Sequence, residues 1–246
     1  MIVQSYGGGI QSVCICVLVR ECVLPRPDII VCADTSREKQ STWDYMHDVT
    51  QPYLDQIGLK IEVASHDLAL KDLYAPDGTT LMPAFTETGR LGPFCSGEWK
   101  RDVVYRYLRN RGVTECEMWI GYSIDELRRV PDNDRRGWCK LDFPLINKMI
   151  NRAMCRGIIK AAGLPLPLKS RCWSCPHQSD DEWLEVKANP VEWAKGVALD
   201  NEIRVNDPRG EGLYLWSGRK PLEMADFGGD RLTAPVRACE GGHCWT

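Results

Sequence analysis

Short apolar runs alternate with longer amphipathic stretches along the first two thirds of the chain. Four of these runs have the pattern of strands that are covered on both faces: Met1–Ser5, Asp28–Ala33, Leu59–Ala64 and Glu117–Tyr122. The amphipathic stretches predict helices over residues 10–21, 37–57, 97–111 and 151–162. Strands that alternate with helices indicate a three-layer α/β fold, in which a parallel, Rossmann-like sheet carries helices on both faces.

The last third has a different character. Two further helices are predicted to begin after Ser179 and Asn189, because both residues are suited to cap a helix. Residues 75–93 are rich in Gly and Pro and indicate a loop or a lid. We therefore divide the chain into a nucleotide-binding domain, residues 1–165, and a C-terminal helical and cysteine-rich segment, residues 166–246. This segment is expected to bind a metal or cluster and to pack on the nucleotide-binding domain.

Composition and charge exclude several classes of protein. Hydrophobic residues make up 43% and charged residues 26%, as in an ordinary globular protein. The longest purely apolar run, Val13–Val19, is far shorter than the roughly 20 residues that span a bilayer. The N-terminus lacks the features of a signal peptide, so we expect a cytoplasmic protein with no membrane partner. The net charge of −3 gives no global attraction for nucleic acid, although a local basic patch remains open.

A glycine-rich loop joins the first predicted strand to the first helix. The segment reads S-Y-G-G-G-I-Q-S from Ser5 to Ser12. Glycines let an anion approach the backbone, and a helix N-terminus offers unpaired N–H groups. A tight turn is the alternative, but three adjacent glycines exceed what a turn needs. The candidate phosphate-binding residues are Ser5, Gly7, Gly8, Gly9, Gln11 and Ser12, and a side chain at Gly8 is expected to block the phosphate position.

Polar residues also follow the second and fourth predicted strands. Asp34, Thr35 and Ser36 come directly after one, and Gly121, Arg128 and Arg129 follow the other. The carboxyl ends of parallel strands meet at the ligand edge of a sheet. Asp34 is interpreted either as a helix cap or as a group that orients ribose, adenine or a metal. The arginines are interpreted as a phosphate clamp or as a solvated helix start.

Twelve cysteines raise the question of a metal or cluster site. Cys172 and Cys175 form a C-x-x-C pair, Cys95 follows Pro93-Phe94, and Cys239 and Cys244 lie near the C-terminus. Seven others are expected to be small core residues: Cys14, Cys16, Cys22, Cys32, Cys116, Cys139 and Cys155. The C-x-x-C pair admits an iron–sulfur cluster, a zinc site or a redox dithiol. His177 and His243 keep zinc open, and the number of thiols keeps a cluster open.

The order of these motifs resembles the PP-loop superfamily of adenine nucleotide alpha hydrolases, and within it the phosphoadenosine phosphosulfate (PAPS) reductase family. Residues 7–12 match the family's S-G-G-x-D-S loop, and residues 34–38 match its D-T-G segment. Residues 95–101 match its cysteine-and-lysine segment, and residues 172–176 match its late C-x-x-C. The order is kept from residue 3 to about residue 178. The loop departs from the family pattern at Gly7, which replaces its serine, and at Gln11, which replaces its aspartate. The C-terminal residues 239–244 match the catalytic-cysteine motif of the assimilatory enzymes only loosely, and Cys95 is one cysteine where cluster-bearing relatives have two. The chain therefore resembles sulfur-inserting relatives that modify tRNA or DNA more than the assimilatory enzymes.

The resemblance implies an enzyme, either a nucleotide-dependent sulfurtransferase or a PAPS reductase-like oxidoreductase. It implies ATP or a PAPS-like nucleotide, with Mg²⁺ left open, and a sulfur or electron donor protein. It also implies a [4Fe–4S] cluster on Cys95, Cys172, Cys175 and Cys244, with zinc as the alternative. Lys100, Arg128 and the thiol of Cys239 are then catalytic, and Arg101 and Arg129 bind phosphate.

A second hypothesis is a zinc-stabilised component that binds a nucleotide or nucleic acid without turnover. Helix 97–111 has five basic and two acidic residues, and Arg135-Arg136-Gly137-Trp138 adds an aromatic to a basic stretch. A solvated helix face explains the same charges. The sequence leaves the tRNA or DNA acceptor and a homo-oligomeric state open.

Overall fold

A five-stranded parallel sheet forms the centre of this computed structural model, which describes residues 1–131, 137–210 and 212–228. Its strands are β1 (Ile2–Ser5), β2 (Ile29–Ala33), β3 (Ile61–Ala64), β4 (Cys116–Trp119) and β5 (Cys139–Asp142). They lie in the order β3-β2-β1-β4-β5. Val3 of the central strand pairs with Ile29 on one side and Met118 on the other. The predicted α/β fold class is confirmed, and β5 is a strand that the apolar pattern did not reveal.

Helices cover both faces of the sheet. The described α-helices are α1 (Ile10–Arg20), α2 (Gln40–Tyr45), α3 (Gln51–Asp55), α4 (Asp102–Asn110), α5 (Pro144–Asn147), α6 (Arg152–Ala161), α7 (Asp180–Ala188) and α8 (Pro190–Asn206). Helices α1, α3 and α6 pack on the side of Ile30. Helix α4 packs on the other side, against Val31. Successive residues of a strand point to opposite faces, so the continuous apolar run of β2 supplies both cores.

Six of the seven cysteines predicted to be core residues are buried: Cys14, Cys16, Cys32, Cys116, Cys139 and Cys155. The prediction is wrong for Cys22, which is exposed. Cys22 lies just after α1, in a turn where its φ is +57°. The chain reverses there, and the thiol therefore points away from the core.

The Gly- and Pro-rich segment 75–93 is anchored rather than a lid. Phe85 forms an antiparallel bridge with Tyr214, and the Thr80 N–H donates to Asp207 at 2.8 Å. Met82 and Ala84 are buried in a third apolar cluster, which they share with residues of α7 and α8. The middle of this loop, residues 82–86, is therefore part of the core that includes the C-terminal helices, while residues 87 and 88 and residues 92 and 93 are exposed.

The C-terminal segment is fastened to the carboxyl edge of the sheet. Residues 37–39, which follow β2, lie antiparallel to residues 171–173, with a bridge between Glu38 and Cys172. Buried Lys39 pairs with Glu185 of α7 at 3.1 Å. These contacts bring the C-x-x-C pair to the edge where the glycine loop begins. No helix among the described residues is long and apolar enough to cross a membrane.

Candidate functional site

A cavity of about 350 Å³ lies at the carboxyl edge of the sheet. The glycine loop contributes Gly9, Gln11 and Ser12 to its lining, and β2 is followed there by Thr35. Cys95, Cys172 and Cys175 also line this cavity. Motifs that are more than 160 residues apart in the sequence therefore face one space.

The loop presents an open helix N-terminus to this cavity. Gly9 precedes α1 with a φ of −91°, no side chain caps the helix, and its first turn has no acidic residue. The first backbone N–H groups of a helix have no partner within it. The Ser12 hydroxyl donates to the Gly9 carbonyl at 2.9 Å, which fixes the turn. This arrangement suits an anion such as phosphate.

Three of the four candidate glycines, Gly8, Gly9 and Gly121, have different surroundings. Gly8 has a φ of +70°, and a Cβ there would lie 2.5 Å from Thr42 Cγ2. A Cβ on Gly9 would meet the Ser170 hydroxyl at 3.2 Å, and one on Gly121 would meet the Ser12 backbone nitrogen at 3.3 Å. The expectation that a side chain at Gly8 blocks the phosphate position is therefore wrong, because its Cβ would point at α2. Gly9 is the residue that lines the cavity.

Gln11 brings a carboxylate to the loop. Its Nε2 donates to Glu126 Oε2 at 2.8 Å. Glu126 also pairs with Arg129, and it caps the 3₁₀ turn Ile124–Arg129 together with Ser123. Gln11, Glu126 and Arg129 all line the cavity. The Glu126 carboxylate therefore lies beside the loop, although Gln11 stands where the family motif has an aspartate.

Basic side chains surround the cavity. Lys100, in the π-helical turn Ser96–Arg101, pairs with Glu38 at 2.9 Å. Lys169 and Arg171 share Glu182, at 3.0 and 3.3 Å. Arg152, the first residue of α6, forms no ion pair with any carboxylate in the described part of the chain. The walls therefore carry a positive charge that suits a polyanion.

Several of these lining residues escaped the sequence analysis: Glu126, Arg152, Lys169, Ser170 and Arg171. The run Lys169-Ser170-Arg171, directly before the C-x-x-C pair, was the signal that could have found three of them. Glu126 and Arg152 reach the cavity only through the fold. No local pattern distinguishes them from ordinary charges at helix starts.

The thiols sit in partly buried turns. The Cys175 N–H donates to the Cys172 carbonyl at 3.1 Å, so a tight turn joins the pair. Cys172 Sγ lies 3.4 Å from Thr35 Oγ1 and 3.6 Å from Glu38 Oε1. Burial raises the pKa of the Cys172 thiol, and the nearby Glu38 raises it further, while Lys100 lowers it. Cys172 is therefore a protonated thiol when nothing is bound to it.

His177 lies on the same wall with 7% of its surface exposed. Among the residues that the structure describes, neither ring nitrogen has a hydrogen-bond partner. Burial lowers the pKa of His177 to about 4, and Arg90 and Arg171 lower it in the same direction. The imidazole is therefore neutral at physiological pH, with a lone pair available.

These donors suit the chemistry of a metal or cluster. Thiolates hold iron–sulfur clusters and zinc, and neutral imidazole is a zinc ligand. Among the described residues, no three His, Cys, Asp or Glu side chains are gathered closely enough to bind a metal together. The thiols and the imidazole are therefore of the right chemical type for a metal or cluster. They would have to move closer together when the metal or cluster binds.

Comparison with known proteins gives matches only among solved structures. No family model matches the chain, and no curated protein sequence matches it. One similar structure is the U34-tRNA thiolase NcsA from Methanococcus maripaludis with its [4Fe–4S] cluster, at 14% identity and a TM-score of 0.48. That match covers 70% of this chain and 58% of the thiolase.

A second similar structure is the phosphate complex of phosphoadenylyl-sulfate (PAPS) reductase from Candida auris, at 15% identity and a TM-score of 0.42. It covers 68% of this chain and 74% of the reductase. Both likenesses are distant, so the functional argument rests on this chain's own residues.

Other predicted site residues lie outside the large cavity. Ser5 and Gly7 adjoin a smaller pocket next to it, which Lys100 also lines. Asp34 accepts the Ser36 N–H at 2.6 Å and so caps its own turn, and Ser36 is exposed.

The remaining predicted residues divide into two groups. The structure does not bring Arg101 or Arg128 to the large cavity, since Arg101 pairs with Asp102 at 2.8 Å and Arg128 is exposed. Cys239 and Cys244, together with His243, lie outside the described residues. Their predicted roles as catalytic thiol and fourth ligand stay predictions.

The basic face of helix 97–111 is engaged within the chain. Its five basic residues contact Glu38 (Lys100), Asp102 (Arg101), Glu98 (Arg106), the Trp138 ring (Arg109) and Glu62 (Arg111). Ion pairs compensate most of the charge that suggested a nucleic-acid surface. Arg135 and Arg136, the other part of that suggestion, lie outside the described residues.

Proposed function

We propose that this chain is an enzyme of sulfur chemistry that binds ATP or an adenylylated, PAPS-like nucleotide next to a thiolate-held metal group, and that it transfers or reduces sulfur there. One observation carries the proposal. The glycine loop and the thiols of Cys95, Cys172 and Cys175 line the same cavity of about 350 Å³. A nucleotide whose phosphates lie on the loop would place its reacting end within reach of the thiols.

The phosphate side of the site follows from charge and backbone geometry. The N–H groups that begin α1 would bind phosphate oxygens, and the Ser170 hydroxyl adjoins them next to Gly9. Arg152 and Arg129 would neutralise the outer phosphate charge. Lys100, held by Glu38, would stabilise the negative charge that develops when a phosphate bond breaks.

The sulfur side follows from the donor types. Cys95, Cys172 and Cys175 would hold an iron–sulfur cluster, with zinc as the alternative on the same residues. A bound cluster supplies electrons or a site for sulfur. Buried Trp99 and the turn 172–175, which line the same cavity, would enclose the bound group. The acceptor class that we favour is a nucleic-acid base or a small adenylylated sulfur compound, and a protein would supply the sulfur or the electrons.

Anaerobic purification with metal analysis and calorimetry tests both halves of the proposal. We expect bound iron with acid-labile sulfide, and micromolar or tighter binding of ATP or PAPS. Cys172→Ser should lose most of the iron, whereas Cys22→Ser, which removes an exposed thiol remote from the cavity, should keep it. Stoichiometric zinc without sulfide would show that the cysteines hold zinc, the alternative, instead of an iron–sulfur cluster. A protein with neither metal, or one with no affinity for either nucleotide, would contradict the proposed function.

A further inference from the structure

The segment between Asp142 and Asp180 contains six basic residues and no acidic residue. The chain as a whole has a net charge of −3, so this segment concentrates positive charge in one part of the molecule. Two of the six, Lys169 and Arg171, line the cavity described above. The other four lie on helix α6 and in the turn before it: Lys148, Arg152, Arg156 and Lys160.

Three of these side chains form a row along α6. Arg152, Arg156 and Lys160 are four residues apart, which places them on the same side of the helix. Because an α-helix rises about 1.5 Å per residue, successive members of the row are about 6 Å apart along its axis. Arg152 lines the cavity, whereas Arg156 and Lys160 are exposed. The row therefore runs from the cavity outward across the surface.

The charges of this row are not compensated within the part of the chain that the structure describes. There, Arg152, Arg156 and Lys160 form no ion pair with a carboxylate, and α6 itself contains no acidic residue. The basic residues of helix 97–111 differ, because all five contact acidic or aromatic side chains. The positive charge that attracts a polyanion is therefore on α6 and not on the helix that the sequence suggested.

A row of small residues lies beside the basic row. Ala153, Gly157 and Ala161 are also four residues apart, and all three are exposed. A Cβ on Gly157 would meet no atom within 4 Å, so the space above this part of the helix is open. The backbone of a polymer can therefore come close to the helix while the neighbouring cations contact its anionic groups.

A nucleic-acid strand fits this surface better than other partners do. Its phosphates repeat at regular intervals, as the cations of the row do, and they bind such cations without regard to sequence. A second copy of the chain would instead bring the same cations face to face. The row begins at Arg152 on the cavity, and a base can enter a cavity only when it is out of its stack, which favours a single strand.

We propose that the exposed face of α6 binds the phosphate backbone of a single-stranded nucleic acid, one base of which enters the cavity. This proposal rests on the proposed function, since it takes a nucleic-acid base as the acceptor there in place of a small adenylylated sulfur compound. Arg156 and Lys160 bind the strand outside the cavity, and Arg152 lies where the strand and the bound nucleotide meet. No bond is made or broken on this surface, which binds and positions the strand.

The test measures binding of a fluorescein-labelled single-stranded RNA of about 15 nucleotides to the full-length protein, by fluorescence anisotropy at several salt concentrations. Each phosphate that a cation neutralises on a single strand contributes about −0.7 to the slope of log K against log salt. Arg156→Ala combined with Lys160→Ala should therefore flatten the slope by about 1.4 and weaken binding about 10-fold at low salt. The charge-matched control, Lys60→Ala combined with Lys195→Ala, removes two exposed lysines from other elements and should change neither value.

Gly157 provides a second test that leaves the cations in place. Because its Cβ position is open, Gly157→Glu and Gly157→Gln should both fold, and the two side chains differ in charge but hardly in size. We expect Gly157→Glu to bind the RNA at least about 10-fold more weakly than Gly157→Gln, since its carboxylate repels phosphate and neutralises the row.

Titrations with single-stranded DNA of the same sequence and with polyglutamate identify the kind of polyanion. Either nucleic acid bound more tightly than polyglutamate supports the proposal, and the tighter of the two names the acceptor. Polyglutamate bound as tightly as both, equal slopes in the two double variants, or equal affinities of the two Gly157 variants would overturn it. The proposed function stands in those cases if the protein contains its metal and binds ATP. A protein with neither that still binds RNA through α6 would overturn the proposed function instead.

Discussion

Gly8 and Gly9 are adjacent in the loop, yet alanine should affect protein stability at one position and anion binding at the other. At Gly8 the backbone is left-handed, with a φ of +70°, and a Cβ would lie 2.5 Å from Thr42 Cγ2. At Gly9 the φ is −91°, which any residue adopts, and a Cβ meets only the movable Ser170 hydroxyl, at 3.2 Å. Gly8→Ala should therefore damage the fold, and Gly9→Ala should damage the anion site.

The magnitudes follow from these two environments. The left-handed conformation costs a residue with a Cβ about 1–2 kcal/mol, and the contact with Thr42 adds to it. A loss of about 2 kcal/mol lowers the Tm of a protein of this size by roughly 4–8 °C. For Gly9→Ala we expect a Tm change within about 2 °C, as for a strain-free substitution. Displacing phosphate from one charge-assisted hydrogen bond costs about 1.5–3 kcal/mol, or roughly 10- to 100-fold in the Kd for ATP.

Thermal unfolding and isothermal calorimetry with ATP measure the two effects on the same preparations. The reasoning predicts a low Tm for Gly8→Ala and a normal Tm with weak ATP binding for Gly9→Ala. A folded Gly9→Ala protein with wild-type ATP affinity would refute the assignment of the phosphate to this loop. A Gly8→Ala protein as stable as the wild type would refute the steric argument about Thr42.

Two further predictions concern other parts of the described structure. Arg152→Ala should weaken ATP binding about 10-fold, because Arg152 lines the cavity and has no carboxylate partner among the described residues. Arg128→Ala, at an exposed position, should change the affinity less than about 2-fold, and equal losses in calorimetry would contradict this placement. Hydrogen bonds from Arg209 hold the pKa of Asp207 well below its usual range. The ionised carboxylate therefore stabilises the folded protein fully above the ordinary Asp pKa of about 3.9, and this stabilisation declines as the pH falls below that value. Asp207→Asn should accordingly lose about 2 kcal/mol of unfolding free energy at pH 7 and less at pH 3, as measured by urea denaturation, and a loss that does not depend on pH would count against the ion pair.

Sequence patterns predicted the sheet and the location of its carboxyl edge. Both depend on the local apolar periodicity and on the Gly-rich and polar residues that separate strands from helices. Strand β2 and helix α6, with Asn151 as its cap, lie within a residue or two of the predicted positions. Strand β5 escaped because its four residues, C-K-L-D, contain only two apolar positions. A strand of four residues is too short for its apolar pattern to stand out in the sequence.

The candidate site was only partly predictable for a different reason. Glycines have no side chain to reveal where they point, so the opposite surroundings of Gly8 and Gly9 appear only in three dimensions. The clustering of Cys172 with Thr35 depends on the bridge between residues 37–39 and 171–173. Arg128 and Arg129 are equivalent in the sequence, and the 3₁₀ turn alone decides that Arg129 lines the cavity while Arg128 is exposed. Long-range packing supplied what periodicity could not.

Alkylation of the cysteines in the presence of ATP tests most directly whether the loop and the thiols share one cavity. Chelator-treated, folded protein is labelled with iodoacetamide, and the rate at each cysteine is read by mass spectrometry with and without saturating ATP. The account predicts that ATP slows labelling of half-buried Cys95 and Cys175 several-fold while exposed Cys22 is unaffected. Unchanged rates at Cys95 and Cys175, under conditions where calorimetry shows ATP bound, would contradict the shared site.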